Sequence, residues 1–255
     1  MAENTTYTPT SESDLTQLLT NATQEERDAL ADLLSADLYK PKSVASKQAK
    51  QLTDELWWKY QTPLGFMVRT PSFDSICKHI ARTMLKDDDR EQFEKRLESD
   101  PATTSWTMLE VVYEVLLRQI LDELSEDDKR KFAEELADHM GNPELKEKLY
   151  HSFNGFCATS AGSGAFFLLL KKYGGFSTYK FALIITNQVA KAMLGRGLSL
   201  GANAALTRGI SIFLGPVGWL LLIWGINGLF GTNYKRVVPA CLLIYSINIR
   251  QDQTA

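Results

Sequence analysis

Apolar residues recur three and four positions apart through the first 150 residues of the chain, the period of helices with one buried face. Leu15, Leu18, Leu19, Leu30, Leu33 and Leu34 predict two short helices over 14–34, parted at Thr23, which makes a capping box with Glu26. A helix over 42–60 carries Val44, Leu52, Leu56 and the pair Trp57-Trp58 on or beside its apolar face, and Pro63-Leu64-Gly65 ends it. Phe73, Ile76, Ile80 and Met84 mark the next helix, over 72–85, and the charged run at 86–91 is a solvated connection or helix start leading into 92–97. Thr107 with Glu110 is expected to cap the central core helix of this front half, whose stripe is Leu109, Val112, Val115, Leu116, Ile120 and Leu124. Ser125 with Asp128 caps a helix reaching about Met140, and Asn142-Pro143 starts a short one ending near Tyr150.

After His151 the pattern changes from stripes to runs. Residues 161–173 and 177–194 are candidate apolar helices, and Gly197, Gly201, Ala205 and Gly209 follow at intervals of four, a spacing that allows close helix approach in lipid or in a tight core. Gly209 to Phe230 contains no charge; its nearest charged neighbours are Arg208 on one side and Lys235 and Arg236 on the other. About 20 apolar residues can span a bilayer as a helix, and so much apolar surface cannot be left in water. The run is broken at Gly215-Pro216-Val217-Gly218, which predicts a hinge at Gly215, Pro216 and Gly218 and favours a hairpin or re-entrant insertion over one straight span. Its inserting residues would be Ile212, Phe213, Leu214, Trp219, Leu220, Leu221, Leu222, Ile223 and Trp224, with Arg208, Lys235 and Arg236 as interfacial cations. The segment after Arg236 is apolar again, and Pro239 is placed to start a helix.

The fold class expected is all-α: a disordered tail over 1–12, an acidic helical interaction domain over 13–150, and a basic, glycine-rich, apolar helical-hairpin region over 151–255. Charge sharpens this division. Of 28 Lys and Arg and 31 Asp and Glu, nine basic residues and one acid, Asp252, lie after residue 150, so the front carries 19 and 30. The net of -3 therefore separates into -11 and +8. Of 16 glycines only Gly65 and Gly141 precede residue 151. A basic apolar segment favours an anionic lipid surface or the acidic front itself. No dense Lys/Arg stripe with interleaved aromatics points to nucleic acid.

Candidate chemistry is thin. Cys77, Cys157 and Cys241 are too few and too scattered for a disulfide framework. Cys77 and His79, two apart, do not share a helix face, so no metal is expected there, and no cofactor is expected elsewhere. Glu110, Glu114 and Arg118 read as a solvated face with ion pairs. Gly162-Ser163-Gly164 follows no strand and lacks the lysine of a phosphate loop, and Ser160 and Ser163 have no identifiable activating base. The first residues lack a basic region followed by an apolar one, so no signal peptide is expected, and residence in the cytoplasm or on the cytoplasmic face of the inner membrane follows.

The back half resembles the uncharacterised bacterial YaaW family in the Gly215-Pro216-Val217-Gly218 element and in the tail Tyr234-Lys235-Arg236-Val237-Val238-Pro239-Ala240, in which Tyr234, Val237 and Pro239 are the marker positions. The stretch from Gly175 to Gly209 and the opening ESDLTQLLTNATQEERDALADLL are similar to that family as well. The chain departs from it in the bulkier region from Leu214 to Trp224. Such sequences are often grouped with ubiquinol-cytochrome c chaperones, a resemblance that implies a helical assembly-factor domain in the front and supplies no catalytic residue. The expectation is a non-enzymatic, membrane-associating protein whose acidic front half carries or restrains a back half that inserts in a membrane as anchor or pore-like effector, with anionic lipid as partner and a protein partner or homo-oligomer as further candidates. The alternative is an assembly chaperone or protein-binding module with the apolar run inside a soluble core.

Overall fold

The computed structural model describes residues 11–61, 72–85, 87–99, 104–139, 141–157, 175–200 and 233–252. These residues form ten helices and no strand: α1 (Glu12–Thr20), α2 (Gln24–Leu34), α3 (Ala45–Tyr60), α4 (Phe73–Met84), α5 (Asp87–Ser99), α6 (Ser105–Glu123), α7 (Glu126–His139), α8 (Leu145–Cys157), α9 (Gly175–Leu194) and α10 (Tyr234–Asp252). The tail over 1–10, the candidate helix over 161–173 and the stretch from Gly209 to Phe230 lie outside the described residues, together with its hinge and Arg208.

Local chemistry sets most of the boundaries. The Thr23 side chain accepts from the Glu26 N–H while the Glu26 carboxylate accepts from the Thr23 N–H at 2.8 Å, the reciprocal box expected at the start of α2. Ser125 Oγ accepts from the Asp128 N–H at the start of α7. Of the boundaries that differ from the sequence reading, three have a visible cause. α6 begins earlier, capped by Thr104, because the Thr107 hydroxyl serves at the third helical position as acceptor for the Thr104 N–H. α8 continues past Tyr150 to Cys157, since Phe153 extends the stripe of Leu145 and Leu149 and stacks on Phe132 of α7 with ring centroids 5.3 Å apart. α10 begins at Tyr234, so Pro239 sits inside the helix and does not open it. The lost N–H leaves the helix one bond short in its second turn, where the side chain of Pro239 is buried.

α10 packs against α1, α2, α3, α6 and α9. Every residue from Val237 to Ile247 is buried, and a helix buried all round is a core helix. α9 pairs with it antiparallel: Tyr179 and Arg250 meet at Glu26, while Thr186 meets Ser246. Buried residues of α9 and α10 thus share one core with those of the front helices.

Polar side chains inside this core are tied across it. Tyr113 of α6 places its hydroxyl 2.6 Å from Thr186 Oγ1, 2.9 Å from the Leu242 carbonyl and 3.1 Å from Ser246 Oγ, joining three helices at one atom. Burial pushes its phenol well above the ordinary range, so it remains a donor. Glu26, 1% exposed, accepts two bonds of 2.8 Å from the Arg250 guanidinium and one of 3.0 Å from Tyr179. Tyr245 donates to Glu110 at 2.9 Å.

Removing one partner of a buried ion pair strands the other. Glu26→Ala is expected to lower unfolding free energy by about 3 kcal/mol in urea denaturation, the lower end of the buried-pair range because Arg250 keeps some solvent contact. Glu12→Ala, which removes an exposed pair with Lys50, is expected to change it by less than about 1 kcal/mol. Equal effects of the two would refute the assignment of Glu26 as the tie between α2 and α10.

Candidate functional site

α2 ends at Ser35, whose left-handed φ of 47° turns the chain and leaves carbonyls of the last turn to be satisfied from outside. Two arginines of the back half do so. Arg196 donates to the Asp32 carbonyl at 3.0 Å and pairs with its carboxylate at 2.7 Å, and Arg236 donates to the Leu33 carbonyl at 3.2 Å and to Ser35 Oγ. Cations at the C-terminal end of a helix complement its dipole.

These arginines flank residues 201–232. α9 ends at Gly195, whose φ of 71° suits glycine, and the chain then folds back so that the Leu198 N–H donates to Asn187 Oδ1 at 2.8 Å. A Cβ on Gly197 would approach that oxygen to 2.4 Å, so a larger residue here would have to displace the Asn187 side chain. On the far side, Asn233 donates its N–H to the Lys59 carbonyl at 3.2 Å, which joins the start of α10 to the end of α3. Both flanks of 201–232 are thereby fixed in the half of the bundle that holds the end of α2.

His79 of α4 sits at the same junction. The Tyr60 hydroxyl lies 2.7 Å from its Nδ1 and the Tyr234 hydroxyl 2.7 Å from its Nε2, with both rings edge-on at 86°. A neutral imidazole suits two phenols, donating through one nitrogen and accepting through the other. Burial, and then the nearby Arg82, hold His79 below its ordinary pKa. Burial also pushes the Tyr60 phenol up to about 12. The arrangement joins α3, α4 and α10.

Of the residues singled out from sequence, Tyr234, Arg236, Val237 and Pro239 are brought to this junction or to the helix behind it. Tyr234 binds His79, Arg236 binds the end of α2, and Val237 and Pro239 are buried. Lys235 is exposed. Ile212, Phe213, Leu214, Gly215, Pro216, Gly218, Trp219, Leu220, Leu221, Leu222, Ile223 and Trp224 fall outside the described residues. Cys77 and His79 do diverge: Cys77 points into the core beside Cys241, and His79 faces the two tyrosines. Among the described residues no group of three His, Cys, Asp or Glu side chains could hold a metal ion.

The expected solvated face of α6 is a correction. Glu114 is 1% exposed and Glu110 holds Tyr245, because α4, α8, α9 and α10 all pack against α6 and cover the face that a single-helix pattern assigns to water. Sequence reasoning also passed over Glu26 as a tertiary partner, since its capping role already accounts for its position. The missed signal was Arg250, the last cation of a half nearly free of acids.

The chain is similar to UPF0174 proteins. One from Helicobacter pylori strain J99 is 42% identical over 87 residues, 34% of this chain and 34% of the relative. Another from that strain is 28% identical over 135 residues, 52% of this chain and 61% of the relative, and one from strain 26695 is 25% identical over 138 residues, covering 53% and 62%. The chain thus spans less than two thirds of the length of these UPF0174 relatives. Their name states no activity, ligand or partner, and none of the three bears the YaaW name or that of a chaperone. No family model and no solved structure matches.

A histidine whose folded pKa is depressed makes the unfolded chain the better proton acceptor, so its contribution to stability is complete above the unfolded value and falls as pH drops through it. The melting temperature is expected to decline as pH falls from 7.5 through the ordinary histidine value of 6.5, and His79→Gln is expected to flatten that decline. An unchanged slope in the variant would show that His79 does not carry it.

Proposed function

We propose that this is a non-enzymatic, membrane-associating helical protein in which the described bundle holds a charge-free segment at one end for insertion as a hairpin. The observation that supports this reading most is that both flanks of residues 201–232 are fixed in one half of the bundle, by Arg196 and Arg236 on the end of α2 and by Asn233 on the end of α3. A segment that departs and returns on one side is suited to a hairpin, and the break at Gly215-Pro216-Val217-Gly218 is suited to its tip. No helix of the described residues is long and apolar enough to cross a membrane, so the insertion assigned here rests with Gly209 to Phe230. The bundle acts as holder, and the site is one of lipid contact without bond chemistry.

Flotation of the full chain with vesicles, followed by a carbonate wash, tests the reading. The parent is expected to float with anionic vesicles and survive the wash. Leu222→Lys is expected to lose wash-resistant flotation while keeping the parent's melting temperature, since a lysine at mid-bilayer costs about 2.5 to 3.5 kcal/mol on insertion scales. A parent that stays in the soluble fraction would overturn membrane insertion and turn the assignment to a protein-binding module. A Leu222→Lys variant that unfolds would place the run in the core.

A further inference from the structure

Membrane insertion of a segment still leaves open which face of the folded bundle meets the lipid. Trp57 and Trp58 are adjacent in the last turns of α3 and take opposite fates. Trp57 is buried in the core, whereas Trp58 is 62% exposed. A tryptophan carries an area of about 150 to 250 Å², most of it apolar, with a single polar N–H, the combination that prefers a membrane–water interface to either bulk phase.

Trp58 stands next to the bond that ties its helix to the flank of residues 201–232. The next residue, Lys59, accepts through its carbonyl the N–H of Asn233, and two residues beyond Asn233 stands Lys235. Tyr60 and Tyr234, one residue further along on each helix, are clamped to the same His79. The last turn of α3 and the first turn of α10 therefore form one rigid corner, and it is the corner at which the chain re-enters after residues 201–232.

The cations of this corner are not equivalent. Lys59 is paired with Glu55 at 2.9 Å, Arg196 with Asp32, and Arg236 is spent on the end of α2. Lys235 is exposed and makes no hydrogen bond or ion pair among the described residues. It is the cation here that is left for an external anion.

We propose that the corner formed by the last turn of α3 and the first turn of α10 is the face that lies on the membrane, with Trp58 as its aromatic anchor and Lys235 as its contact to anionic headgroups. The inference rests on the membrane reading above and adds the orientation of the bundle. The occupant is an anionic lipid surface, argued from the exposed tryptophan, the unpaired lysine and their continuity with the flank of the charge-free segment. Val44 supplies an internal comparison. It is 70% exposed, but it caps the opposite end of α3, about 21 Å from Trp58 along the helix axis.

The test is vesicle partition of the full chain, using phosphatidylcholine alone and phosphatidylcholine mixed with phosphatidylglycerol. Trp58→Ala is expected to weaken partition into both by about tenfold. Lys235→Gln is expected to weaken partition into the anionic vesicles by about fivefold and leave the neutral ones unchanged. Val44→Ser is expected to change neither; Trp58→Ala and Lys235→Gln keep the parent's melting temperature because the side chains are exposed, and Val44→Ser keeps or raises it, since serine supplies the cap bond that valine lacks at this position. If the parent partitions and Trp58→Ala partitions equally well, the orientation is wrong while the membrane reading stands. A Val44→Ser variant as impaired as Trp58→Ala would also overturn it, by making the effect one of general surface hydrophobicity. A parent that binds neither vesicle overturns both the orientation and the reading beneath it.

Discussion

Burial of α10 on every side is the constraint from which the rest of the described fold follows. From Val237 to Ile247 a helix enclosed by α1, α2, α3, α6 and α9 has no solvent face on which to place polar side chains, so the polar groups buried there must find partners on its neighbours. Ser246 meets Tyr113 and Thr186, Tyr245 meets Glu110, and Arg250 meets Glu26. Apolar burial is indifferent to rotation and sliding of one helix on another, whereas these bonds are not. They fix the register of a helix whose sides are otherwise almost uniformly aliphatic.

The two halves distinguished by charge are joined through those same bonds. α2 is the acidic element most used by the back half, and it is used at both ends: Glu26 near its start takes Arg250 and Tyr179, and its last turn takes Arg196 and Arg236. The carboxylate in its first turn and the cations around its last turn both agree with the helix dipole. A cap chosen for local reasons thus becomes a tertiary anchor, since the Glu26 carboxylate that closes the Thr23 box also receives the arginine 224 residues away.

Much of the helical layout was legible in the sequence because its signals are local. The Thr23–Glu26 box, the Ser125 cap and the stripes of α4 and α6 each depend on spacings within one turn or a few turns, and these placed their helices. The boundaries that moved depended on contacts from elsewhere, as where Phe153 extends α8 by stacking on α7. The candidate site was legible only in outline. The charge-free run announces itself, but the junction behind it joins Tyr60, His79 and Tyr234, and the separation of 155 residues between His79 and Tyr234 leaves no trace in periodicity. Glu114 shows the same limit from the other side. An acidic residue in a face of Glu110 and Arg118 reads as solvated until helices remote in sequence are packed over it.

The charge of the back half changes meaning once its partners are known. A net of +8 over residues 151–255 suggests a strongly cationic surface, yet Arg196, Arg236 and Arg250 are each engaged with the acidic front. Three of the nine cations of the back half thus serve an internal complementarity that assembles the bundle. On the proposed membrane reading, what remains for lipid near the flank of the charge-free segment is a small number of cations, Lys235 among them, beside a large apolar area. Association built in that proportion depends chiefly on apolar transfer, with screening by salt reaching only the lesser electrostatic part. On the proposed membrane reading this separates the protein from peripheral proteins held to membranes by polybasic patches: the arginines near the flank serve folding, and the apolar segment is the element proposed to carry the contact.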